Sequence, residues 1–155
     1  MAARTYVGFS STDIRSFYLM QAWKANTNID FDFINCQLAA EVDSDNEQYV
    51  KRRLRERINM AGTFALLIGQ DTRFKHRYVR WEVEVAIEKE CRLIAINLDG
   101  YRSKNTATCP TFIDNVGAMF VPFSPKIVNY ALDHFIRETT DNWFYKPHVY
   151  TALGY

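Results

Sequence analysis

The sequence predicts a single three-layer α/β domain on a five-stranded, mainly parallel sheet in the order 2-1-3-4-5. Short runs of β-forming residues alternate with stretches of helical periodicity along the chain. Two of the runs, Phe64-Ala65-Leu66-Leu67-Ile68 and Leu93-Ile94-Ala95-Ile96, are apolar without a break, as strands covered on both faces must be. A helical stretch lies between them and completes a βαβ unit, and right-handed crossovers then favour that strand order.

Bulk properties fit this. The chain has 155 residues, 48% hydrophobic and 24% charged, with a formal net charge of +1, which suits one ordinary globular domain. That balance predicts no pull toward nucleic acid or an anionic membrane. No apolar run approaches the ~20 residues that span a bilayer, and the N-terminus runs straight into a strand-like segment with no room for a signal peptide. The three cysteines, Cys36, Cys91 and Cys109, match neither a disulfide framework nor a zinc site. A reduced, cytoplasmic protein is expected.

In chain order, Thr5-Tyr6-Val7-Gly8-Phe9 is the first strand. Ser10, Ser11, Thr12 and Asp13 offer N-caps to a helix over 13–24, whose apolar residues (Ile14, Phe17, Tyr18, Met20, Trp23) predict heavy burial. Residues 30–35 form the second strand, and a loop follows from Cys36 to about Asp43. Ser44-Asp45-Asn46-Glu47 has the form of a capping box. The helix it opens places Val50, Leu54 and Ile58 on one face, with Gly62 as its C-terminal cap. The third strand is 64–68 and the fourth 93–98. Residues 99–116 read as a long loop with one helical turn, and 118–122 as the fifth strand. Pro125 suits N1 of a last helix carrying Ile127, Val128, Ala131, Leu132, Phe135 and Ile136. The domain spans 1–155, with a core of about 4–137 and an aromatic-rich tail, 138–155, whose packing the sequence leaves open.

The stretch 77–90 carries an anomaly. On a wheel of about 100° per residue, Val79, Val83, Ala86 and Ile87 form its buried stripe. Glu84 and Glu88 fall on the polar side with Arg80, and Glu90 reaches water at the helix end. Glu82 falls inside the apolar arc, between Tyr78 and Ala86. A carboxylate in the second turn of a helix, facing its own sheet, needs a reason: it is either a functional acid or a buried partner of an arginine such as Arg73 or Arg77. The predicted topology puts this helix beside the C-terminal ends of the first and third strands, where such sheets bind ligands.

Other signals are weaker. Neither the dinucleotide fingerprint nor a P-loop is present. A phosphoacceptor reading of the topology needs paired acids after the first strand, where Ser10 and Ser11 stand, and only Asp71 lies near the third. Lys51, Arg52, Arg53, Arg55 and Arg57 flank a buried stripe and read as a solvated face. His76, His134 and His148 lack companions at metal-ligand spacing, and no metal is expected. Cys36 lies near the crevice without a nucleophile's partner.

Several of these residues also form a family pattern. Leu66-Leu67-Ile68-Gly69 with Thr72, then Tyr78-Val79-Arg80-Trp81-Glu82, then Ala86-Ile87-Glu88-Lys89, resemble the TIR-like domains of the Thoeris anti-phage defence family (ThsB), relatives of the Toll/interleukin-1 receptor domain with a flavodoxin-like fold. Phe9 and Asp13 correspond to the opening motif, and the segment after Asn35 to the loop that shapes the site. The resemblance covers roughly 4–137. Tyr78 replaces the usual tryptophan, and Ser10-Ser11-Thr12 occupies a loop that varies in the family.

The resemblance implies an enzyme that cleaves the nicotinamide–ribose bond of NAD, with Glu82 as the essential glutamate. It implies conversion of the ADP-ribose moiety into a signalling nucleotide, either a cyclic ADP-ribose isomer or a conjugate with histidine. That nucleotide would activate a separate effector. NAD is then the substrate and no resident cofactor is expected; homo-oligomers are expected on activation. The chemistry agrees with a single acid, because nicotinamide leaves as a neutral molecule and needs no proton. A fixed carboxylate stabilises the oxocarbenium-like transition state. Phe9 is expected to pack on the nucleotide, and Ser10, Ser11 and Asn35 to line the crevice. Two other readings remain open: a non-catalytic TIR assembly module, and a nucleoside or nucleotide N-glycosidase of related fold.

Overall fold

The computed structural model describes residues 3–26, 31–34 and 46–155, with side chains for 4–23 and 46–155. The predicted Asn35, the loop from Cys36 to Asp43 and Ser44 lie outside the described residues.

The strands are β1 (Ala3–Gly8), β2 (Phe31–Ile34), β3 (Thr63–Ile68), β4 (Arg92–Asn97), β5 (Met119–Pro122) and β6 (Trp143–Phe144). All neighbours pair in parallel, in the order β2-β1-β3-β4-β5-β6. The expected 2-1-3-4-5 core is therefore present, with one strand added by the tail. Parallel partners share a sheet face, so the register Tyr6↔Phe64, Phe64↔Leu93 and Gly8↔Leu66 defines one face. Thr5, Thr63 and Arg92 belong to the other.

The helices are α1 (Ile14–Asn26), α2 (Glu47–Ile58), α3 (Tyr78–Glu88), α4 (Pro125–His134) and α5 (Pro147–Ala152). Strands β2 to β3 and β3 to β4 advance in the same direction, so right-handed crossovers put α2 and α3 together on the Tyr6 face. The step from β1 to β2 runs the other way and sends α1 to the opposite face. α4 lies on that opposite face too, where Arg92 donates to the Phe135 carbonyl at its end, 3.2 Å.

Several local expectations change. The α1 stripe is narrower than its composition implied: Phe17, Met20 and Trp23 are buried, but Tyr18 and Leu19 point outward. Only positions three apart face the sheet, and Tyr18 is one residue off that line. Asn46 caps α2, accepting from the Tyr49 amide at 3.0 Å. The helix ends at Ile58 and unwinds through Asn59–Ala61 turns, so Gly62 is not its cap and instead bonds Arg92 from its carbonyl, 3.0 Å. α4 stops at His134, leaving Phe135 buried but Ile136 70% exposed. In α3 the buried arc is wider than predicted. Trp81 and Val85 are buried while Ile87 is half-buried, because α2 covers that flank.

α2 and α3 are joined by charge as well as packing. Lys51 meets Glu84 at 3.3 Å, and Arg55 forks onto Glu88 at 2.6 and 3.1 Å. Two of the basic residues read as a solvated face are therefore partners of the next helix. The signal was legible: Lys51 and Arg55 are four apart, as are Glu84 and Glu88.

Candidate functional site

Glu82 is 7% exposed in the second turn of α3 and faces the sheet, as its wheel position required. Its carboxylate is held by β1: the Tyr6 hydroxyl donates to Glu82 Oε2 at 2.5 Å. Tyr6 is fully buried and its ring stacks on Phe64 of β3, centroids 5.7 Å apart. Burial pushes the Glu82 carboxyl up to about 8, against the hydrogen bond from Tyr6, which favours the ionised form. No arginine holds it; the described Arg73 and Arg77 guanidinium groups lie over the rings of Phe74 and of Tyr78 and Trp81.

Gly8 makes room for the Phe64 ring on which Tyr6 stacks. It lies two residues past Tyr6 on the same face, and a Cβ there would approach the tip of the Phe64 ring to 2.8 Å. One turn of helix above Glu82, Tyr78 is half-buried and packs edge-on against Trp81, 5.4 Å between centroids. Glu84 and Glu88, by contrast, serve the α2 contact on the outer side.

The other predicted site residues separate. The Phe9 ring stacks on Phe17 of α1, 4.8 Å away, on the opposite side of the sheet from Glu82. Ser10 is buried, yet its hydroxyl does not cap the helix. It donates to Asp71 at 3.2 Å and lies 3.0 Å from the Thr12 hydroxyl, which also bonds Asp71. Ser11 is exposed in the short 3-10 turn Ser11–Asp13 that leads into α1.

Ser10 and Thr12 thus tie the end of β1 to the loop after β3. Burial works against the Asp71 charge, but the hydrogen bonds from Thr12 and Ser10 and the charge of Lys75 outweigh it and hold Asp71 below the usual carboxylate range. Its neighbour Asp13 is shifted the other way, by burial and by the Asp71 charge. Gly69 makes room for it: any Cβ there would run into the Asp13 carboxylate. A cavity of about 280 Å³ opens beside this cluster, lined by Asp13, Ser16, Gly69, Gln70, Asp99 and Thr108. It lies on the α1 side and includes neither Glu82 nor Tyr6. A larger open cleft, about 690 Å³, runs along α2 alone and is also remote from Glu82.

Sequence reasoning passed over Tyr6 and set Asp71 aside. Tyr6 had a signal, since strand alternation puts it on the face that the third crossover helix covers. Asp71 had none, because its partners lie 59 and 61 residues away. Among the described residues no His, Cys, Asp or Glu cluster suits a metal ion, and no helix is long and apolar enough to cross a membrane. Cys91 and Cys109 are free thiols, the first buried and the second half-buried; His76 sits edge-on to Phe112, and His134 packs on Tyr130.

No curated protein matches the chain. Residues 6–103 match the family described as Thoeris protein ThsB, TIR-like domain. That match takes in the second half of β1 from Tyr6, the Ser10–Asp71 link and Glu82, and covers more than half of the sequence. The chain belongs to the TIR-like domain family of the Thoeris anti-phage defence protein ThsB.

Proposed function

We propose that the domain cleaves the nicotinamide–ribose bond of NAD, with Glu82 as the catalytic carboxylate. The observation that carries this reading is a glutamate buried in the second turn of α3, held by a phenol and, among the described residues, by no cation. A buried carboxylate without an arginine or lysine partner costs several kcal/mol when ionised. Its retention makes sense where a positive charge arrives with the ligand.

NAD brings such a charge. The nicotinamide nitrogen is cationic, and as the glycosidic C–N bond breaks its electron pair stays with the departing neutral nicotinamide. The positive charge passes to the ribose ring, where the Glu82 carboxylate stabilises the oxocarbenium-like transition state. Water or another nucleophile then takes the anomeric carbon. In this reading Ser10, Ser11, Asn35 and Phe9 shape the crevice. The interior bonds of Ser10 and Phe9 make their part an indirect one, through the Asp71 link and the α1 contact.

The domain then works in the cytoplasm in anti-phage defence, without a resident cofactor. Assembly of copies turns it on, and an ADP-ribose-derived nucleotide, cyclic or joined to histidine, carries the signal to a separate effector. Incubating the protein, and lysate of phage-infected cells expressing it, with NAD and with deoxynucleosides tests this by mass spectrometry of the products. Free histidine in a parallel sample separates cyclisation from conjugation. Glu82→Gln is expected to lower nicotinamide release at least about 100-fold, the scale of losing one electrostatic stabiliser, with an intact thermal transition. NAD consumption by Glu82→Gln at the wild-type rate would falsify the assignment. Turnover of deoxynucleosides but not NAD would favour the N-glycosidase reading, and inertness in infected lysate the assembly module.

A further inference from the structure

We propose that Tyr6 is the positioning residue of the site: its hydroxyl fixes one oxygen of Glu82 and leaves the other free to face the ligand. This rests on the reading of Glu82 as the working acid and adds what controls it.

The geometry is specific. Tyr6 lies on β1, which cannot move without disturbing both neighbouring strands, and its ring is clamped against Phe64 with an interplanar angle of 13°. Its hydroxyl reaches Glu82 Oε2 at 2.5 Å across the gap between sheet and helix. A glutamate on a helix has three side-chain torsions to hold, and a donor fixed to a different element removes the last of them. Phenylalanine would pack in the strand equally well, so the hydroxyl needs a partner to justify burial.

The surroundings leave the role to Tyr6. β3 and β4 present Phe64, Leu66, Leu93 and Ala95 on this face, none of them titratable, and on β1 the next residue of the face, Arg4, is exposed at the start of the strand. On α2, Lys51 and Arg55 are turned to Glu84 and Glu88. On α3 itself Tyr78 stands one turn above, with Arg77 over its ring. Among the described residues, Tyr6 is the one that hydrogen-bonds Glu82. It accordingly has two effects: it orients the carboxylate, and it favours the ionised form against burial, which pushes the group up to about 8. In the free protein at pH 7 most Glu82 carboxyls then keep their proton, and they become competent when a cationic ligand or a higher pH removes it.

The test is Tyr6→Phe, read in two ways. The first needs no catalysis: a carbon-13 NMR titration of the glutamate carboxyls, with the Glu82 signal identified by its loss in Glu82→Gln. The Glu82 midpoint should lie near 8 in the wild type and about half a unit or more higher in Tyr6→Phe. The second is the pH profile of kcat/KM for nicotinamide release, which reports the free protein. Its rising limb should move by the same amount, a loss of about threefold at pH 7, with kcat lowered at the high-pH plateau and KM within about twofold.

An unmoved Glu82 midpoint in Tyr6→Phe overturns the proposal. Should that variant fail to fold, Tyr6→3-fluorotyrosine keeps the ring and strengthens the donor, and the midpoint should fall; no movement overturns the proposal equally. If the wild type releases no nicotinamide, the functional reading fails while the NMR titration still decides the part played by Tyr6.

Discussion

At the scale of the residue, Glu82 sets function against stability. A carboxyl near 4.5 in the unfolded chain is pushed to about 8 in the fold, so the folded protein holds the proton more tightly. Its contribution to stability is complete below about pH 4.5 and is lost as pH rises to about 8. Above that the fold bears the full penalty of a buried carboxylate, of order 5 kcal/mol at about 1.36 kcal/mol per unit. Glutamine removes the charge while its carbonyl still accepts from Tyr6. Glu82→Gln should therefore melt higher than the wild type at pH 8.5, by roughly 10–20 °C, and close to it at pH 4.5. Equal shifts in melts at the two pH values would mean that another group titrates. The placement of Glu82 was legible from the wheel because a 3.6-residue period fixes direction from spacing alone. Its partner on β1 was not, since nothing in local spacing links residues 76 positions apart.

At the scale of the element, α2 and α3 show which contacts hold the site in place. Leu54 of α2 is 2% exposed in the core, while Arg55 beside it makes the best-formed ion pair between the two helices, with both side chains 40–49% exposed. Exposed ion pairs contribute little and are screened by salt. Leu54→Ala should cost about 3 kcal/mol, whereas Arg55→Ala should cost less than about 1 kcal/mol and nothing measurable in 1 M salt. Urea denaturation of the two variants at low and high salt checks this. A larger loss for Arg55→Ala would make the charge pairs, not the apolar seam, the support for α3. Helix existence was easy to read here and helix ends were not. The apolar run Val50, Leu54, Ile58 announces α2, but its stop depends on turn bonds at Asn59–Ala61 rather than on Gly62. In α3 the buried stripe is legible from spacing, but Trp81 and Val85 are not, because only the arrival of α2 buries that flank.

At the scale of the whole molecule, the tail is part of the sheet and remote from the proposed chemistry. β6 pairs with Met119 and Phe120 of β5, and Tyr150 of α5 is buried with the Arg102 guanidinium 4.0 Å over its ring. The last residue, Tyr155, bonds the Ser124 hydroxyl at 2.5 Å and accepts from the Ile127 amide at 3.1 Å, capping α4 where Ser124 does not. Composition could announce an aromatic tail but not this use of it, since capping by a residue 28 positions away leaves no local pattern. Removing 138–155 exposes the edge of β5 and uncaps α4 together, a loss of several kcal/mol that should lower the melting temperature by roughly 10 °C or more. The site should be spared. β6 is four strand positions from β1, roughly 19 Å at the spacing of paired strands. Below its own transition, the truncated protein should therefore release nicotinamide at a rate per folded molecule within about twofold of the full chain, with the Glu82 titration midpoint unchanged. Folded fraction from circular dichroism and initial rates at 15 °C separate the two quantities. A rate that falls while the protein remains folded would place the tail in the catalytic assembly rather than in the fold.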